Sequence, residues 1–140
     1  MKTALTTIQY LIRGFWTVIL ILGLLYWAGM DSTNTLIKIH ILAGVILVLS
    51  MLGLAYLAVR ARVSAGLVVL DIGWGLVLPA LGLTQAQIFP GPAHWAIHVV
   101  HLLVGIGALW QAETLGSRTQ TGLEAIRSAR HPVLKVKPRG

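Results

Sequence analysis

Histidine is the residue type in this chain best suited to chemistry, and two of its histidines lie in matching heptapeptides. Residues 39–45 read IHILAGV, and residues 100–106 read VHLLVGI. The histidine and the glycine are identical, and every other pair is aliphatic with aliphatic. This repeat predicts that His40 and His101 occupy equivalent places in two related helical hairpins, on helices that run in the same direction and at similar depth.

Two facing imidazoles in an apolar segment need partners, because a buried polar group without one is costly and ionisable groups within a membrane are usually functional. Neutral imidazole is a common axial ligand of haem iron. Gly44 and Gly105 follow by four residues, share the helix face of each histidine and leave flat space beside it. The pattern predicts haem held by His40 and His101. Alternatively, the two histidines hydrogen-bond to the backbone or to each other and serve only helix packing.

Two further histidines precede His101 in the same apolar run. His98 also matches His40 in depth and is the rival ligand, although no glycine follows it at the same spacing. His94 lies about 10 Å closer to the membrane surface than His101 by helix rise. It suits a haem propionate, a quinone carbonyl or simple solvation. A three-histidine zinc or copper site is a third interpretation.

The elements that position these histidines are four long apolar runs. Hydrophobic residues form 56% of the 140-residue chain and charged residues 11%, which is more apolar surface than a small soluble domain can bury. The runs cover about residues 8–29, 36–59, 64–84 and 94–112, and each is long enough to cross a bilayer as a helix. They lack the alternation of barrel strands. We expect an all-α, integral membrane four-helix bundle over residues 1–115.

The basic residues predict how such a bundle is oriented. In a four-span arrangement nearly all of them fall on one side, and only Lys38 falls on the other; the first group is Lys2, Arg13, Arg60, Arg62, Arg118, Arg127, Arg130, Lys135, Lys137 and Arg139. The positive-inside rule then places both termini in the cytoplasm. The net charge of +7 is then accounted for by basic residues that set the topology and contact anionic lipid headgroups. We therefore expect no nucleic-acid partner.

Residues 116–140 are basic and less apolar, and we expect a cytoplasmic tail there. Leu123, Ile126 and Ala129 outline a short apolar stripe at helical spacing. Two interpretations of the tail are open. It docks on a partner subunit or on an anionic membrane surface, or it is a solvated, partly ordered segment.

The remaining polar and aromatic residues carry structural expectations. A membrane carboxylate needs a partner, so Asp71 is predicted to pair with Arg13, and Glu113 with Arg118. Tyr26, Trp27 and Trp95 are expected in the aromatic belt at the membrane surface. The absence of cysteine excludes thiolate metal sites and covalent haem attachment.

On the histidine repeat and the four spans, the chain resembles the four-helix b-type cytochromes of bacterial membranes. It is also similar to one half of haem A synthase, whose bundles hold haem between histidines on their second and fourth helices. The resemblance covers about residues 8–113. It implies one haem b near the outer face, with His40 and His101 as iron ligands, in a multi-pass protein of the bacterial inner membrane.

The resemblance also implies electron transfer between a membrane quinol pool and a partner, with quinone as a second ligand. Because 140 residues leave almost no extramembrane domain for substrate chemistry, we expect a subunit of a larger redox complex. The chain departs from these families in two respects. It has no second histidine pair near the opposite membrane face, and no acidic residue stands in the segment 36–39 before His40. An electron-transfer subunit is therefore expected rather than a stand-alone synthase.

Two other functions fit the same sequence. A cofactor-free accessory subunit would pack against larger membrane proteins through small residues, namely Gly44, Gly53, Gly73, Gly75, Gly105 and Gly107. A pigment-binding subunit would hold a chlorophyll through one histidine. The sequence contains no nucleophile–base–acid set and no phosphate-binding loop.

Overall fold

The computed structural model describes residues 1–29, 34–85, 87–88 and 91–130, and this part of the chain is helical, without β-strands. Its four helices are α1 (Lys2–Trp27), α2 (Asn34–Arg60), α3 (Ala65–Thr84) and α4 (Trp95–Arg130). All four are long and apolar enough to cross a membrane. The all-α, four-helix, transmembrane-like bundle predicted from the apolar runs is confirmed.

The helices pack in sequence around a central pair. α1 packs against α2 and α4, α3 packs against the same two helices, and α2 contacts α4 across the middle. The starts of α1 and α3 lie at one end of the bundle, together with the last residues of α2 and α4. We call this the basic end, after Lys2, Arg62, Arg118 and Arg127. The other end, where α2 and α4 begin, is the histidine end.

α4 continues well past the boundary predicted at residue 115. Its 36 residues correspond to about 54 Å of helix, whereas the hydrocarbon core of a bilayer is about 30 Å thick. The reason is a continued inward-facing stripe, because Leu115, Thr119 and Leu123 are all buried at four-residue spacing. Residues 116–130 are thus an extension of the bundle. The rest of the predicted tail, 131–140, lies outside the described residues.

The apolar core is concentrated towards the basic end. Leu5 and Ile12 of α1, together with Leu115 of α4, pack there against a stripe of α2. That stripe recurs every three or four residues, as expected for one buried helix face, and consists of Leu47, Met51, Leu54, Ala55 and Ala58. Towards the histidine end, polar rings take part in the packing between helices.

Candidate functional site

His40 and His101 meet between α2 and α4. Each lies six residues after the first residue of its helix, Asn34 or Trp95, which is about 9 Å along the axis. Their ring centres are 6.5 Å apart and the ring planes are inclined by 37°. Both residues are half-buried. The two imidazoles therefore face each other at the same level of the bundle.

Three buried polar atoms around this pair have no hydrogen-bond partner among the described residues. They are the Nδ1 atoms of His40 and His101 and the hydroxyl oxygen of Tyr26. The Tyr26 ring centre lies 6.1 Å from that of His40. Buried polar atoms in native proteins are nearly always paired with protein, water or a ligand. Three atoms without such a partner therefore lie together around the His40–His101 pair.

The expectation for Tyr26 differs from its position. Trp27 and Trp95 are exposed, as expected for belt residues, but Tyr26 turns its hydroxyl inwards beside His40. Tyr26 is therefore a residue of the site that sequence reasoning missed. The sequence offered one indication of this position. Tyr26 follows the buried Leu22 by four residues and therefore lies on the same face of α1.

The two glycines of the repeat have different surroundings. Gly44 faces open space, with nothing near the position of a side chain. Gly105 is covered by Trp16 of α1, whose indole Nε1 donates a 2.8 Å hydrogen bond to the Gly105 carbonyl oxygen. A third glycine, Gly82 of α3, lies against the His101 ring, since a Cβ there would be 3.5 Å from the His101 Cε1.

The other two histidines pair with each other. The rings of His94 and His98 are 4.8 Å apart, edge to face. The His94 Nδ1 lies 3.3 Å from the carbonyl oxygen of Ile88 in the α3–α4 connection. Ring contact thus joins His40 with His101 and, separately, His94 with His98. In the described residues, no three histidine or acidic side chains converge as a metal-binding group, which gives the zinc or copper interpretation no support.

The predicted ion pairs are wrong. Arg13 donates two hydrogen bonds to the Glu113 carboxylate, at 2.6 and 2.7 Å. Asp71 is fully buried, and neither of its oxygens has a hydrogen-bond partner among the described residues. Arg13 pairs with Glu113 because α1 packs directly on α4, whereas α1 and α3 make no comparable contact in the described parts of the chain.

Comparison with known proteins identifies no relative of this chain. No protein-family model matches the chain, and neither the search of curated proteins nor that of solved structures returns a match.

Proposed function

We propose that this protein is a membrane b-type cytochrome that transfers electrons, with one haem b held between His40 and His101. The observation that carries the proposal is the 6.5 Å separation of the two imidazole ring centres. Metal–imidazole bonds are about 2 Å long, and the ring nitrogen lies about 1 Å from its ring centre, so two axial imidazoles have centres about 6 Å apart. The observed spacing is close to this value.

The two histidines leave their Nδ1 atoms unused by the described residues. With iron on Nε2, each Nδ1 would be protonated and could only donate, the role by which a ligating histidine is usually oriented. The open space at Gly44 leaves room beside His40 for the edge of a macrocycle. When bound, haem iron would supply one-electron redox chemistry; His40 and His101 would hold it, and the apolar helices around them would exclude water.

The proposed setting is the bacterial inner membrane, with both termini in the cytoplasm and the histidine end near the outer face. The described chain has little structure beyond its four helices, so we propose that it serves as a subunit of a larger redox complex. Membrane lipid surrounds it, and quinone is the proposed electron-exchange partner in the bilayer. His94 and His98 lie at the end where a quinone headgroup or a haem propionate would approach.

An absorption spectrum of the purified full chain tests the proposal. We expect a low-spin haem spectrum, with a Soret band and split bands after reduction. His40→Ala and His101→Ala should each abolish the six-coordinate spectrum, because each removes one axial ligand. His94→Ala is the matched control and should retain it, since His94 contacts His98 and Ile88. Protein without haem absorbance, or a spectrum unchanged by His40→Ala, contradicts the proposal.

The second candidate is a cofactor-free accessory subunit, and one observation favours it. Two tryptophans already occupy glycine surfaces: Trp16 lies on Gly105, and Trp74 lies so close to Gly107 that a Cβ there would be 2.8 Å from the indole. Such contacts bring helices close without a ligand. This candidate predicts only tryptophan absorbance, and the pigment-binding alternative predicts red absorption bands, so the same spectrum separates all three functions.

A further inference from the structure

The strongest unassigned feature is an open cleft at the basic end, about 380 Å³ in volume. It lies between the α2–α3 turn and the extension of α4. We call it the arginine cleft; its polar lining comes from Arg62 and Ser64 of the turn and from Arg118 and Thr121 of α4. Leu67 provides an apolar wall. The cleft is built from two chain segments that are more than 50 residues apart in sequence.

The two walls of the arginine cleft are fixed against each other. Gly122 of α4 approaches the turn so closely that a Cβ there would collide with the Ala61 carbonyl oxygen. Deeper in, the Gln111 side chain donates a 3.0 Å hydrogen bond to the Leu67 carbonyl oxygen. These contacts join α4 to α3 and to the turn. The two guanidinium groups are therefore presented by a preformed framework.

Neither arginine of the cleft has an acidic partner among the described residues. The chain has four acidic residues, and three of them are described. Glu113 is bound by Arg13, Glu124 lies 3.1 Å from Lys2, and Asp71 is buried in α3. The fourth, Asp31, belongs to the α1–α2 connection and lies outside the described residues. The positive charge of Arg62 and Arg118 is thus available to an anion.

The backbone beside the cleft joins two helix ends, the C-terminus of α2 and the N-terminus of α3, which carry partial charges of opposite sign. Ser64 precedes α3, and its side chain makes no capping hydrogen bond to the first turn of the helix. A helix N-terminus carries partial positive charge. Arg62 itself has left-handed backbone geometry, with φ 59. The Val63 amide donates to the Ala58 carbonyl, and the Arg62 amide donates to the Val59 carbonyl, a Schellman arrangement in which glycine is usual.

We infer that the arginine cleft binds the phosphate of an anionic phospholipid headgroup. Guanidinium groups match phosphate oxygens with paired hydrogen bonds. The cleft lies at the ends of helices that are apolar enough to span a membrane, which is where headgroups are found. Below Leu67, one helical turn further along α3, Leu70 is 49% exposed and offers an apolar path for acyl chains. A lipid satisfies both surfaces, whereas a free phosphate satisfies only the first.

Native mass spectrometry of the full chain in detergent, with added phosphatidylglycerol, tests this inference. A charge-assisted hydrogen bond from a guanidinium group to a phosphate bound in a site is worth about tenfold in affinity or more. The double variant R62G/R118Q should weaken phosphatidylglycerol binding by about tenfold or more. Glycine is chosen at position 62 because it tolerates left-handed geometry, so the variant should fold, and thermal unfolding monitored by circular dichroism checks this directly.

R127Q/R130Q is the matched control, because it removes the same charge from the basic end without touching the cleft. It should bind phosphatidylglycerol within about twofold of the parent chain. Phosphatidylcholine should bind weakly to all variants, and glycerol 3-phosphate should not compete at equal concentration. Equal losses in the two double variants would mean diffuse attraction and overturn the site. Effective competition by glycerol 3-phosphate would overturn the lipid assignment in favour of a small-anion site.

Should R62G/R118Q fail to fold, the single variant R118Q, on a regular helix, repeats the comparison against R127Q.

Discussion

At the scale of single residues, two acidic side chains have opposite surroundings: Asp71 lies in the bundle interior, and Glu113 lies at its edge. Asp71 is 0% exposed and has no hydrogen-bond partner in the described chain, whereas Glu113 accepts two hydrogen bonds from Arg13. Arg13 and Glu113 are 54% and 35% exposed, and losing one partner of such an ion pair costs up to about 1 kcal/mol, whereas removing the charge of an unpartnered buried acid costs little or stabilises. The same acid-to-amide change should therefore have opposite effects at the two positions.

We predict that Asp71→Asn leaves the melting temperature unchanged or raises it, because it replaces an ionisable buried group by a neutral one of similar shape. Glu113→Gln, the matched control, should lower the melting temperature because it weakens the bidentate bond to Arg13. Thermal unfolding in detergent, followed by circular dichroism, measures both. A loss of about 3 kcal/mol or more in Asp71→Asn would show that Asp71 has a charged partner after all.

Among the site residues, the sequence predicts those that recur and misses those that do not. His40 and His101 stand at the same place in a repeated heptapeptide, and two related hairpins bring equivalent residues to one level. Tyr26 and Trp16 have no repeated counterpart, and their roles depend on which way α1 turns against α2 and α4. The partner of Arg13 could not be predicted from depth alone, since Asp71 and Glu113 both lie towards the basic end. Helix adjacency decides it.

At the scale of elements, α4 is the helix whose packing departs most from its sequence pattern. Its first half is apolar enough to be recognised as a span, and the segment after Gly116 is too polar to read as one. What continues the helix is a narrow stripe of Leu115, Thr119 and Leu123. Three residues on one helix face change the average hydrophobicity of this segment very little, so the average does not predict the extension. Their four-residue spacing indicates a buried face only once a helix is assumed.

We predict that Gly122→Ala detaches or distorts the α4 extension, because the new methyl group meets the Ala61 carbonyl oxygen. The expected cost is about 1–3 kcal/mol, as for other overpacking substitutions. Gly14→Ala in α1 is the matched control, since nothing lies within 4 Å of its side-chain position, and it should stabilise by about 0.5–1 kcal/mol through helix propensity. Equal melting temperatures for the two variants would contradict the close approach.

At the scale of the whole molecule, the charges are distributed unequally between the two ends. Of the described basic residues, only Lys38 lies at the histidine end. The proposed orientation therefore places Ser128 in the cytoplasm and Gln87, in the α3–α4 connection, outside. The charge pattern is a property of the sequence alone, which is why orientation can be predicted without any knowledge of packing.

A labelling experiment tests this orientation cleanly, because the chain contains no cysteine. Gln87→Cys and Ser128→Cys each introduce one thiol at an exposed position. With a membrane-impermeant maleimide, Gln87→Cys should react in intact spheroplasts, and Ser128→Cys only after the membrane is opened. The parent chain gives the background. The reverse pattern would invert the bundle and move the histidine pair to the cytoplasmic face.

The unbroken course of α4 links the histidine end and the basic end of the bundle mechanically. From His101 to Arg130 the helix has no interruption, a distance of about 44 Å along its axis. A protein that grips the last turns of α4 therefore holds one end of a stiff rod whose other end carries one imidazole of the pair. With no hinge between them, a small rotation applied outside the membrane would be transmitted to the gap between the two rings.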